Sequence, residues 1–163
     1  MLACLLFPMA GSATSPKDIK IGLHVIDFVT NPPAGRNTVG VIYDSKVKES
    51  ADDAQAILDS LKSAMSRSGA KAELIDIHDI DDAAGLRAII VADHMKPYYD
   101  RLAAYGRHVG VLTISTDLEC VRASKCTVGI ASAPRVEVIV SAQQAQASGI
   151  QFSEAFRMMV TEY

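Results

Sequence analysis

The side chains able to do chemistry in this sequence fall in short runs. Asp93-His94, with Tyr98, Tyr99 and Asp100 close behind, places carboxylates, an imidazole and two phenols just past the apolar run Ala88–Ala92. Groups of this kind hydrogen-bond small polar molecules, and loops at strand carboxyl ends are where open α/β sheets hold ligands. Asp93, His94 and Tyr98 are therefore the candidate ligand loop. Asp76-Ile77-His78-Asp79-Ile80-Asp81-Asp82 offers oxygen and imidazole donors suited to a divalent cation. Its spacing matches neither a calcium loop nor a zinc helix, so a solvated acidic turn is expected there and no metal site. Ser115-Thr116-Asp117 carries hydroxyls that capping of the next turn explains. No G-x-S-x-G elbow, phosphate-binding glycine-rich loop or dinucleotide fingerprint occurs. With no acid, base and nucleophile standing together, the expectation is no catalytic residue, no cofactor and no enzyme.

Cys120 and Cys126 are the only cysteines outside the extreme N-terminus, and Arg122-Ala123-Ser124-Lys125 allows the chain to turn between them. Their meaning depends on compartment. In an oxidising one they pair; in a reducing one they are two buried thiols. A thiol-redox centre would more usually show C-x-x-C. Residues 1–10 are nearly all apolar and lead into Gly11-Ser12-Ala13. That reads as the end of a secretory signal, residues 1–13, cleaved after Ala13. Net charge is −3 and tryptophan is absent, which argues against nucleic acid as a partner.

These groups need elements to hold them. Residues 17–29 show helical spacing through Ile19, Leu23 and Ile26, and Pro32-Pro33 ends the run. Residues 38–43, 73–78, 88–92 and 109–114 read as strands, with helices at 50–67, where Ser50 is the expected N-cap, and at 97–106. Residues 127–131 and 135–140 are spaced as an antiparallel hairpin. A short helix then follows Ser141, and a last helix runs from Ser153 to Tyr163, with Met158-Met159 as core filler. Alternating strands and helices imply crossover connections and parallel pairing. The expected fold is α/β: one domain over 17–163, a mixed and mostly parallel sheet flanked by helices, with a C-terminal antiparallel hairpin.

Four stretches resemble the YfiR-like family of periplasmic proteins. They are Ile26–Pro32 leading into the strand at 38–43; Val109–Ser115; the pair Cys120 and Cys126; and Arg135–Ser141 running through Gly149-Ile150 to Phe156-Arg157-Met158. The chain departs from the family at Asn31, where members commonly carry tryptophan, and at Val138 and Ser141, where phenylalanine and asparagine are usual. The resemblance implies a periplasmic regulator that binds the periplasmic sensor region of a YfiN-type membrane diguanylate cyclase. Such a regulator would lower cyclic di-GMP signalling and biofilm formation, meeting the membrane only through its partner. On that reading Glu137 and Ile139 are candidate partner contacts, and a homodimer stays open. The alternative is an exported solute-binding domain, which the α/β alternation also suits.

Overall fold

The computed structural model describes residues 13–163. The proposed signal segment, apart from Ala13, lies outside them. In chain order the elements are α1 (Pro16–Asp27), β1 (Thr38–Tyr43), α2 (Lys48–Met65), β2 (Lys71–Asp76), β3 (Leu86–Val91), α3 (Tyr99–Val109), β4 (Leu112–Ser115), α4 (Leu118–Arg122), β5 (Val128–Ala131), β6 (Glu137–Val140), α5 (Ala142–Ala147), α6 (Glu154–Arg157) and β7 (Thr161–Glu162). The described strands form one sheet in the order β2-β1-β3-β4-β5-β6-β7. β2 through β5 pair in parallel, and β6 runs antiparallel to β5, with Val128 opposite Val140 and Ala131 opposite Glu137. The expected fold class is the one observed.

Alternation along the central strands separates two cores. Val39, Val41, Ala88 and Ile90 pack with Ile19 and Ile26 of α1 and Ile57 and Leu61 of α2. Ile42, Ile89 and Val91 face the other way, against Leu102 and Tyr105 of α3 and Val121 of α4. Strands covered on both faces read as continuous apolar runs, which is why Val-Gly-Val-Ile and Ala-Ile-Ile-Val are legible as strands. α4 comes very close to β5. A Cβ on Gly129 would stand 2.9 Å from Val121 and 3.0 Å from both Ile139 and Leu118, so only glycine fits there.

Local signals set several boundaries. Ser15 and Asp18 form a reciprocal capping box at the start of α1. Gly110, at φ 67°, ends α3 in the left-handed region, so the helix runs through Val109 and β4 begins only at Leu112. That corrects the strand expected from Val109. Ser50 is not the N-cap of α2, which starts two residues earlier; its hydroxyl instead accepts the Asp44 N–H at 3.1 Å. The expected last helix stops after Arg157. Val160 turns back onto the core and β7 pairs in parallel with β6, so tertiary pairing overrides local helical tendency. Met158 and Met159 are consequently 83% and 67% exposed, not core filler.

Cys120, within α4, and Cys126 are joined by a disulfide with a Cα–Cα distance of 5.2 Å, and both are fully buried. The backbone N–H groups of Lys125 and Cys126 both donate to the Cys120 carbonyl, so the bridge and the turn share one small loop.

Candidate functional site at the strand carboxyl ends

The loops leaving β1, β3 and β4 open at the same end of the sheet, because those strands are parallel neighbours. The order 2-1-3-4-5 makes the β1/β3 boundary the topological switch point of a doubly wound sheet. Asp44 follows β1 directly, Asp93 and His94 follow β3, and Thr116 and Asp117 follow β4.

Asp53, one turn into α2 and 6% exposed, ties the loops together. It accepts from the Thr14 backbone N–H at 2.8 Å, the Thr14 hydroxyl at 3.1 Å and the Asp93 N–H at 2.9 Å. Thr14 Oγ1 also lies 3.2 Å from Thr116 Oγ1, which joins the segment before α1 to the end of β4. Asp44, 3% exposed, accepts the Tyr98 hydroxyl at 2.8 Å and the Lys46 N–H at 2.9 Å. The Lys46 N–H first, then the Tyr98 hydroxyl, hold the Asp44 carboxyl below its usual range. Tyr99 donates its hydroxyl to Asp117, and burial followed by that carboxylate pushes the phenol far above its ordinary value. Asp117 also caps α4 by accepting from Glu119 N–H, as Ser115-Thr116-Asp117 led one to expect.

The expected ligand residues Asp93, His94 and Tyr98 all lie at this end of the sheet. His94 sits at φ 62°, a left-handed conformation uncommon for a side-chain-bearing residue, with its ring half exposed and Nδ1 3.4 Å from Asp93. Tyr98 turns its hydroxyl inward to Asp44. The sequence reading missed Thr14 and Asp53 as the tie between loops and Asp44 as the acceptor for Tyr98. Asp44 could have been found from its position directly after an apolar strand; Asp53 looked only like a dipole-compensating helix residue.

Asp44, Asp76 and His78 each place a ligand atom within 4.8 Å of the others, the metal-type grouping found among the described residues. Their oxygens are already engaged, Asp44 by Tyr98 and Lys46, and Asp76 by the His78 N–H at 2.9 Å. The grouping works as a cap for the turn at Ile77–Asp82. An open hollow of about 480 Å³ lies elsewhere, bordered by Thr30, Gln146, Gln151, Phe152, Arg157 and Glu162. Its guanidinium is paired with Glu162, with Nε to Oε1 at 2.8 Å. Ile139 is fully buried against Cys120 and Val121, which removes it as a partner contact. Glu137 is half-buried at the start of β6, opposite Ala131 at the carboxyl end of β5.

The fold is thus a doubly wound α/β lobe with its polar residues at the switch point. No protein-family model matches the sequence, and no curated relative does. Solved structures do share the fold. A substrate-binding protein with adhesive properties from Clostridium difficile, in a ligand-free open structure, aligns with a TM-score of 0.67 at 10% identity, over 92% of this chain and 59% of its own. An ABC domain in complex with L-Trp from Streptococcus pneumoniae aligns at 0.62 and 11%, over 90% and 60%. A conserved domain protein from Vibrio cholerae aligns at 0.65 and 11%, over 90% and 59%. The chain spans about three-fifths of the length of these structures.

Proposed function

We propose that this protein is an exported solute-binding domain that takes a small polar molecule in the crevice formed by the loops after β1, β3 and β4. The observation that carries the reading is the convergence of Asp44, Asp93, His94, Tyr98, Tyr99 and Asp117 at the switch point, where doubly wound sheets hold ligands. The domain binds without transforming its ligand, since the residues gathered there include no nucleophile beside a base. Export is supported by the Cys120–Cys126 bridge, which persists in oxidising compartments, and by the apolar N-terminal run. The fold shared with substrate-binding proteins agrees with it.

The test is a thermal-shift screen of the purified protein against amino acids, sugars, polyamines and organic acids, because a ligand that binds only the folded state raises Tm. The expected result is at least one saturable shift that Asp93→Ala and His94→Ala reduce. A shift that ignores both substitutions, or none across the panel, would overturn the reading.

A second reading, regulation of a macromolecule, draws on one observation. Val136, Met158 and Met159 leave apolar side chains exposed near the β6–β7 edge of the sheet. The resemblance alone supplies the partner, the periplasmic sensor region of a YfiN-type diguanylate cyclase. Titrating that region with the purified domain tests it, and absence of a complex at micromolar concentration would remove it.

A further inference from the structure

The register between β1 and β3 slips by one residue at its start. Thr38 pairs with Leu86 and Val39 with Ala88, which leaves Arg87 as the extra residue. A bulge in a parallel pair is uncommon, and bulges characteristically re-aim a side chain. Arg87 is aimed between the amino ends of the strands and the helices α1 and α2. There it borders a cavity of about 200 Å³ together with Leu23, Ile26, Val39, Met65 and Asn37. It also borders a narrow cleft against Pro32, Pro33 and Ile150.

The Arg87 side chain is 34% exposed and only part of its guanidinium is shut away from solvent. Its Nε is buried and has no hydrogen-bond partner in the protein. The nearest carboxylate is Asp27, 3.9 Å from Nη2, past hydrogen-bond reach and on a largely exposed side chain. With Nε shut away from solvent, the Nη groups are what the guanidinium can offer to the hollow, and a planar carboxylate suits that charged fork best. The apolar walls call for a hydrocarbon tail behind that carboxylate.

We infer that Arg87 holds the carboxylate of a small aliphatic acid, whose tail lies in the cavity between α1, α2 and the amino ends of β1 and β3. This site is at the opposite end of the sheet from the strand-end crevice and stands independently of it. Asp27 is then a competing anion that the ligand displaces from the guanidinium.

The experiment is titration of the full-length protein with hexanoate, followed by calorimetry and by amide NMR shifts, with 1-hexanol and hexylamine as size-matched controls. Hexanoate is expected to bind saturably, shifting the signals of Leu23, Asn37 and Arg87. Both controls are expected to bind about tenfold or more weakly, since they lack the charge-assisted pair. Arg87→Gln should weaken hexanoate by a similar factor while leaving hexanol unchanged, and Asp27→Asn should tighten it. No saturable hexanoate binding, equal binding of hexanol, or unchanged affinity in Arg87→Gln overturns the inference. If Arg87→Gln does not fold, Asp27→Asn decides alone: failure to tighten hexanoate rejects the site.

Discussion

Asp53 and Thr14, 39 positions apart, are bonded twice: the Asp53 carboxylate takes both the backbone N–H and the hydroxyl of Thr14, and its second oxygen also takes the N–H of Asp93. One carboxylate thus holds the segment before α1 against the loop after β3. Asp53→Ala would leave buried donors unpaired and should destabilise the fold by about 2 kcal/mol. Urea unfolding followed by circular dichroism reads this, with Asp59→Ala on the exposed face of α2 as the control expected to stay near wild type.

The Asp44 carboxyl gives a pH dependence with a definite sign. The Lys46 N–H, then Tyr98, hold it below its ordinary value of 3.8 in the folded protein. Its contribution to stability is therefore complete above that ordinary value and is lost as pH falls through the lower, folded one. Asp44→Asn should flatten this part of the acid limb of a stability profile. In a carboxyl NMR titration, Tyr98→Phe should move the Asp44 midpoint upward, toward 3.8.

The Cys120–Cys126 bridge closes a short loop, with a sequence separation of 6. On the chain-entropy account such a loop contributes about 2 kcal/mol. The Cys120→Ala/Cys126→Ala double variant should unfold at correspondingly lower denaturant, and reductant should lower the Tm of the wild type but not of the variant. Equal Tm with and without reductant in the wild type would show that the bridge contributes nothing.

Gly129 is where α4 and β6 press on β5. Gly129→Val needs room that Val121, Ile139 and Leu118 do not leave, and overpacking of this kind costs about 1–3 kcal/mol. Gly35, whose missing Cβ would meet nothing within 4 Å, is the contrast. Its φ of 72° makes any penalty there a backbone effect alone. The pair separates steric from conformational cost in chemical denaturation.

Much of the fold was legible in particular residues. Val39, Val41 and Ile42, and then Ala88 through Val91, are apolar without interruption because both faces of those strands are covered. The Ala54, Ile57, Leu61 and Met65 stripe marks α2 by spacing alone. Ser141 and Ser153 cap their helices as their positions before helical runs suggest. Asp93, His94 and Tyr98 were legible as members of a strand-end loop because a polar run follows an apolar strand.

What the chain determined by itself is what depends on neighbours within a turn or a strand: periodicity, caps, the parallel alternation, and which loops lie at strand carboxyl ends. Tertiary structure alone decided the rest. Asp53 could be known to hold Thr14 and Asp93, and Asp44 to receive Tyr98, only once parallel pairing carried those loops to one end of the sheet. Residues after Arg157 leave the helix because β6 offers backbone partners that no local pattern encodes. Arg87 is set apart by a register slip between β1 and β3, a pairing property and not a property of its own segment. Hydrogen bonds and burial between distant segments follow from topology, and short-range spacing carries no record of them.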